Sequence, residues 1–162
     1  MRILGLSCYY HDAAAVLLED GVLVAAAQEE RFSRRKHDPG FPAHAVAFCL
    51  RQAGLSAADL DYVVFYEKPF LKFERLLTTL AATVPRSTTL FRESMLVWLG
   101  DKLWLKQHIA DRVGVPGDRI LFVEHHLSHA ASALYCSPYL EAAILTVDGV
   151  GEWTTAAFGH GT

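Results

Sequence analysis

Three histidines within five positions form the densest group of side chains able to do chemistry. They lie in the segment 124–129 (EHHLSH). On a helix, His125 and His129 stand at i and i+4, so their rings share one face and converge on one point. His126 and His129, at i and i+3, form a rival pair. Neutral imidazole suits iron and zinc, but two ligands do not complete a site. The spacing indicates either part of a metal centre or histidines that cap a helix and line a polar cleft.

Asp148 offers a third metal ligand. It follows the apolar run 142–147 (AAILTV) and is followed by Gly149 and Gly151. A carboxylate at the carboxyl end of a strand, beside a glycine turn, is well placed to bind a metal ion or phosphate-bound magnesium. We therefore predict that Asp148 joins the histidines, and that Gly149 and Gly151 belong to a cofactor-binding turn.

Two polar segments near the amino terminus offer further candidates. His11 and Asp12 lie in the segment 8–12 (CYYHD). This segment is either an Asx-type turn or a loop that binds phosphate or its metal. On the second interpretation, Asp12 binds a cofactor. Lys36 lies in the charged segment 28–38 (QEERFSRRKHD). Such a run is typical of a solvated loop, but its cations also suit an anion site for a phosphorylated substrate.

Apolar runs and turn residues predict the elements that position these side chains. The chain opens with three strands that are predicted to be antiparallel neighbours, because Asp20-Gly21 between two apolar runs is a strong hairpin signal. The predicted order is β-β-β-α-β-α-α-β-α, followed by a second hairpin. The predicted strands cover residues 3–7, 13–18, 22–27, 62–66, 120–123, 142–147 and 152–158, and the predicted helices 42–54, 69–80, 91–113 and 127–135.

Composition narrows the class of protein. With 162 residues and 52% hydrophobic residues, the chain suits one domain or part of a larger one. A net charge of −3 gives no support for a nucleic-acid or anionic-membrane partner. The three cysteines, Cys8, Cys49 and Cys136, lie in apolar segments and read as reduced core residues. We expect a soluble, cytoplasmic protein without a membrane span.

The predicted order of elements resembles the actin/hexokinase/Hsp70-like ATPase fold, which is ribonuclease H-like and α/β. The resemblance implies three antiparallel strands followed by parallel strands with helices. In that fold two similar halves close over a nucleotide. Four motifs also resemble the carbamoyltransferases of the NodU/CmcH type, over essentially the whole chain but only the front part of such an enzyme. The motifs are GLS with HDAAA (5–7 and 11–15), EERF with RKH (29–32 and 35–37), HHLSHA (125–130) and DGVGE (148–152).

The resemblance implies a domain division and a reaction. Residues 1–138 match the first half of the Kae1-like domain, and 139–162 the truncated start of the second. Such enzymes use carbamoyl phosphate and ATP with magnesium to form carbamoyl-adenylate. They then move the carbamoyl group to a hydroxyl of a small molecule such as an antibiotic, another natural product or a nodulation factor. The adenylate-forming, YrdC-like domain lies outside the resemblance, so this chain alone is not expected to catalyse the full reaction.

The resemblance also implies roles for particular residues. Iron or zinc is held by positions that match His125, His129 and Asp148, with a further aspartate beyond this chain. His11 and Lys36 match positions near the carbamoyl and phosphate groups. His11 is then a candidate general base, because imidazole titrates near neutral pH. Lys36 is a candidate to stabilise phosphate charge on the leaving group.

Other interpretations stay open. A threonylcarbamoyl-transfer protein that modifies tRNA shares the fold and the paired histidines, but His126-Leu127-Ser128 lacks the acidic residue expected there. A non-catalytic metal- or nucleotide-binding module is a third interpretation. Trp98 and Trp104, both on the predicted long helix, suggest a surface for a homodimer.

Overall fold

The computed structural model describes residues 1–100 and 102–162, which form two compact units. Unit 1 comprises Met1–Tyr66 and Lys106–Phe122, and unit 2 comprises Glu67–Leu105 and Val123–Thr162. The predicted division at residue 138 refers to halves of a longer fold and stays a prediction. None of the described helices is long and apolar enough to cross a membrane.

Unit 1 contains a five-stranded mixed sheet in the order β3-β2-β1-β4-β5. Strands β1, β2 and β3 are antiparallel neighbours, whereas β4 pairs in parallel with both β1 and β5. The α/β class and the change from antiparallel to parallel pairing are therefore confirmed, while the likeness to the ATPase fold stays a prediction. The strands are β1 (Arg2–Ser7), β2 (Ala14–Glu19), β3 (Val22–Gln28), β4 (Tyr62–Phe65) and β5 (Ile120–Phe122).

The alternation of apolar residues and one tight turn explain this sheet. In β1, Leu4 and Leu6 are buried, as expected when alternate side chains point to one face. The predicted β2–β3 hairpin is present, and its Asp20 and Gly21 have φ values of 51° and 82°. Aspartate and glycine tolerate this left-handed region better than other residues, so the local sequence selects the turn.

Three α-helices accompany the sheet: α1 (Glu30–Ser33), α2 (Ala43–Ala53) and α5 (Leu105–Val113). The first residue of α5, Leu105, belongs to unit 2, and the rest of α5 belongs to unit 1. Helix α2 packs on β2 and β3, and its buried side chains include Val46 and Cys49. It ends at Gly54, whose φ of 66° is the conformation in which glycine commonly terminates a helix.

Unit 2 combines helices with a two-stranded hairpin. Helix α6 packs on the hairpin, and buried Trp98 of α4 contacts Phe73 of α3 with ring centroids 5.4 Å apart. The loop between the two hairpin strands, residues 148–155, is called the Asp148 loop below. The elements are α3 (Pro69–Ala82), α4 (Thr88–Gly100), α6 (His125–Tyr135), β6 (Ala142–Val147) and β7 (Ala156–Gly161).

The predicted long helix over residues 91–113 is wrong. Helix α4 ends at Gly100, a 3₁₀ turn follows at Lys102–Trp104, and α5 is a separate helix; residue 101 lies outside the described part of the chain. Glycine favours a break because it is a poor helix former. The indole N–H of Trp104 also donates to the carbonyl of Leu99 at 2.9 Å, which satisfies an acceptor exposed at the helix end. Trp98 is buried and Trp104 exposed; the homodimer stays a prediction.

Three smaller expectations are also corrected. Helix α6 begins at His125 and not at residue 127. Strand β7 covers Ala156–Gly161 and not 152–158, because the amide of Asp148 bonds to the carbonyl of Thr155 at 2.7 Å and leaves the residues between them in a loop. Cys136 is exposed, whereas the other two cysteines are buried; all three are free thiols.

Candidate functional site

Helix α6 presents the histidine cluster on its first turns. An alanine-rich sequence favours helix here, and the amide of Ser128 closes the first turn on the carbonyl of Glu124 at 2.8 Å. Because the helix starts at His125, the histidines at 125, 126 and 129 all take helical positions. The i, i+4 geometry assumed for His125 and His129 therefore exists.

Two of these histidines and Asp148 converge. Nε2 of His125 lies 2.5 Å from Oδ2 of Asp148 and 3.1 Å from Nε2 of His129. Nε2 of His129 lies 3.7 Å from the same Asp148 oxygen. Within the described residues, these three form a group whose ligand atoms all lie within 4.8 Å of one another. The carboxylate belongs to the residue directly after strand β6, and both imidazoles belong to helix α6.

The donor set fits iron or zinc. Two imidazoles and one carboxylate are ligands that both metals accept. Donors bound to one ion at about 2.1 Å stand about 3.0 to 3.5 Å apart, at angles between square and tetrahedral. The observed separations bracket this range. A small inward or outward adjustment of each side chain thus suffices to accommodate an ion.

The electrostatic surroundings favour the form of Asp148 that binds metal. Burial alone would raise the pKa of Asp148, but the hydrogen bonds from His125 and from the amide of Gly149, at 2.6 Å, hold that pKa below its usual value. Asp148 is consequently anionic at neutral pH, as a metal ligand must be. The His125 side chain is 11% exposed, with Nδ1 3.9 Å from the carboxylate of Glu67, whereas His129 is 52% exposed.

His126 is engaged elsewhere. Its Nε2 lies 2.8 Å from the carbonyl oxygen of Thr154, and its Nδ1 lies 2.7 Å from Oγ1 of Thr146. A carbonyl only accepts, so Nε2 donates to Thr154, and Nδ1 forms a second hydrogen bond with the Thr146 hydroxyl, which also bonds to the carbonyl of Ala157 at 3.3 Å. Both nitrogens are thereby used within the hairpin. The geometry therefore favours His125 over His126 as the partner of His129.

The two glycines of the Asp148 loop make different contacts. The amide of Gly149 bonds to the adjacent Asp148 carboxylate. The carbonyl of Gly151 accepts from Nη1 of Arg75 at 2.5 Å, and a Cβ at Gly151 would collide with the Thr154 carbonyl and the His126 ring. The role of these glycines in cofactor binding stays a prediction.

Unit 1 contains a separate polar cluster around Asp12. Its two carboxylate oxygens lie 2.8 Å from Nδ1 of His11 and 2.8 Å from Nδ1 of His37. The bond to His37, followed by that to His11, keeps the pKa of Asp12 below its usual value against the opposing effect of burial. Tyr9, Asp12 and His37 all have positive φ, at 67°, 52° and 55°. Such conformations are costly and collect at functional sites. Lys36 is exposed in the turn beside His37.

Sequence reasoning missed two residues of these clusters. In the sequence His37 belongs to the charged segment and to the RKH motif, and neither assigns it a role, although it directly follows Lys36. Glu152 ends the DGVGE motif and begins a predicted strand, yet its carboxylate is buried and accepts from the amides of His125, at 3.2 Å, and Lys68. An acidic residue directly after a glycine-rich turn was the one available signal for Glu152.

A protein family and two known proteins match this chain along nearly its whole length. The family described as carbamoyltransferase N-terminus matches residues 2–161. An uncharacterised protein of Synechocystis sp. is 51% identical over 167 residues, which covers 99% of this chain and 27% of that protein. Nodulation protein NolNO of Sinorhizobium fredii is 37% identical over 161 residues, which covers 95% of this chain and 22% of NolNO. The chain spans about a quarter of the length of these relatives.

Proposed function

The chain belongs to the carbamoyltransferase N-terminus family, and we propose from this that it forms the front part of an O-carbamoyltransferase with an iron or zinc centre. The donor would be carbamoyl phosphate, activated with ATP and magnesium as carbamoyl-adenylate. The acceptor would be a hydroxyl of a small molecule such as an antibiotic, another natural product or a nodulation factor. Its likeness to a protein named for nodulation supports this acceptor class.

The convergence of His125, His129 and Asp148 carries the proposal. Within the described residues they supply a mixed nitrogen and oxygen donor set on a chain of this family. Bound there, iron or zinc would supply Lewis-acid chemistry, since a cation draws charge from a carbonyl or phosphate oxygen and fixes its orientation. Such binding requires an anionic carboxylate, and the pKa of Asp148 is held below its usual value.

We assign proton transfer to His11. Its Nδ1 faces the carboxylate of Asp12, which only accepts hydrogen bonds when ionised, so Nδ1 carries the proton. Nε2 of His11 then keeps its lone pair and is able to take the proton of the attacking hydroxyl. In this assignment the hydroxyl oxygen forms a bond to the carbamoyl carbon, and the bond to the adenylate oxygen breaks.

A labelled-substrate assay tests the proposed reaction. The full-length protein is incubated with carbamoyl phosphate labelled at carbon, ATP, magnesium and a panel of hydroxyl compounds. We expect label in at least one acceptor, dependent on ATP. Hydrolysis of carbamoyl phosphate without transfer to any member of a broad panel would count against a carbamoyltransferase.

Lys36→Ala is expected to weaken the use of carbamoyl phosphate. An exposed ammonium that contacts a phosphate group stabilises its negative charge, and a hydrogen bond to a charged group contributes about 1.5–3 kcal/mol. This corresponds to roughly a 10- to 150-fold loss in kcat/KM for the donor, with a smaller effect on KM for the acceptor. Steady-state kinetics with each substrate varied in turn measure both quantities.

Lys106→Ala is a matched control, since Lys106 is an exposed lysine of the same unit. We expect its donor kinetics to equal those of the wild type. If Lys36→Ala also left the dependence on carbamoyl phosphate unchanged, the role of Lys36 at the phosphate would be rejected.

A further inference from the structure

The third histidine of the cluster and the buried Glu152 both hold the Asp148 loop. We propose that His126 and Glu152, neither of them a ligand, are positioning residues that fasten this loop to the start of α6 before metal binds. Asp148 would thereby stand against His125 and His129 in advance. The inference rests on the proposed metal centre and adds to it the residues that preform the site.

The Asp148 loop needs to be held because its ligand must meet two others from a different segment. Gly149 and Gly151 give this backbone more freedom than other residues would. Ordering a residue has a cost in backbone entropy. If the loop were mobile without metal, this cost would be subtracted from the binding free energy of the metal. Contacts that order the loop beforehand therefore raise metal affinity.

His126 fastens the far end of the loop. Its Nε2–H donates to the carbonyl of Thr154, near the end of the loop, and its Nδ1 forms a hydrogen bond with the Thr146 hydroxyl on β6. The ring also occupies the space beside Gly151, where a Cβ would lie 2.9 Å from Nε2. One side chain of α6 thus contacts the strand before the loop, its middle and its end.

Glu152 fastens the middle of the loop. Its side chain is buried, and its two carboxylate oxygens accept from the amides of His125 and Lys68. A buried carboxylate is costly unless such donors surround it. The amide of His125 belongs to the first turn of α6, where backbone donors lack partners within the helix and negative charge is favourable. Glu152 therefore joins the Asp148 loop to the first residue of the ligand-bearing helix.

The hydrogen bonds of His126 and Glu152 hold the loop and leave the ligand atoms of the proposed metal site available. Neither His126 nor Glu152 is part of the group formed by the ligand atoms of His125, His129 and Asp148. Both oxygens of Glu152 and both nitrogens of His126 have partners. Their removal should therefore lower metal affinity without removing a ligand. Partners outside the ligand set of a metal site typically change affinity by about 10- to 100-fold when mutated.

Competition between the metal-free, full-length protein and a chelator for Zn²⁺ tests the inference. Glu152→Gln keeps the shape of the side chain but removes its charge and one acceptor, and His126→Phe keeps a ring but removes both hydrogen bonds. We expect each variant to bind Zn²⁺ about 10- to 100-fold more weakly than the wild type. Circular dichroism first shows that each variant is folded. If His126→Phe is not folded, Thr146→Val tests the same contact, because it removes the hydroxyl that bonds to Nδ1 of His126 and to the carbonyl of Ala157.

Two matched controls separate the positioning effect of Glu152 and His126 from the general effect of losing a carboxylate charge or an imidazole ring. Glu124→Gln changes a carboxylate next to His125 that is exposed and pairs with Nζ of Lys68. His160→Phe changes an exposed histidine of the same unit that pairs with Glu141. We expect both controls to bind Zn²⁺ as the wild type does.

The outcomes are distinct. Folded Glu152→Gln and His126→Phe proteins that bind Zn²⁺ with wild-type affinity would overturn the inference, whatever their thermal stability, because a merely structural role lowers stability without changing affinity. Weak binding in these two variants and not in the controls supports it. Failure of the wild type to bind Zn²⁺ or Fe²⁺ would instead overturn the proposed metal centre, and the inference with it.

Discussion

His129→Ala is expected to abolish tight metal binding and, with it, most carbamoyl transfer. His129 supplies one of the three donors in this chain, and His125 and Asp148 alone do not complete a site. Alanine is the best helix former, so α6 should persist and the loss should not reflect unfolding. His125→Ala should behave alike. The measurement is zinc affinity by chelator competition, beside transfer of labelled carbamoyl groups by the same preparations.

His126→Ala provides the comparison within the same helix. Because His126 bonds to Thr146 and Thr154 and not to the ligand group, its loss should weaken metal binding less than loss of His129. Equal loss of metal in His126→Ala and His129→Ala would show that the ligand pair had been misassigned. Retention of full affinity in His129→Ala would remove that residue from the ligand set.

His11→Ala is expected to lower transfer and leave metal binding intact. General acid–base catalysis contributes about 10²–10⁴-fold to a rate, so kcat should fall by that factor if His11 takes the proton of the acceptor hydroxyl. Its side chain is not part of the group formed by His125, His129 and Asp148. Metal content should therefore equal that of the wild type. Single-turnover transfer, measured beside metal content, separates this variant from His129→Ala.

His160→Ala is a close control for His11→Ala. Both histidines are about equally exposed, at 60% and 61%, and each has a ring nitrogen 2.8 Å from a carboxylate. Only His11 is assigned a proton-transfer role, so His160→Ala should retain its rate. A His11→Ala enzyme with an unchanged kcat would remove the general-base assignment.

Local sequence signals predicted much of what the structure contains. The Asp20-Gly21 turn predicted the β2–β3 hairpin, because its backbone requires residues that accept positive φ. The i, i+4 spacing of His125 and His129 predicted their convergence, since helix geometry alone brings such side chains together. The sequence also predicted that Asp148 joins both histidines, because Asp148 stands at the end of a predicted strand.

What sequence reasoning missed depends on contacts between distant positions. The break after Gly100 involves a side-chain bond from Trp104 back to Leu99, which helical periodicity does not reveal. Pairing of Asp12 with His37 joins two loops in left-handed conformations that neither local sequence dictates. Glu152 looks like an ordinary acidic loop residue until the fold buries its carboxylate.

Metal content by mass spectrometry tests the account most directly. The full-length protein is purified without added metal, as wild type beside His129→Ala. We predict about one equivalent of iron or zinc per chain in the wild type, and its loss in the variant, because the variant lacks one of the donors that this chain supplies. A well-folded, active wild-type carbamoyltransferase without bound metal would contradict the account. The histidines and Asp148 would then be polar residues of a cleft and not a metal centre.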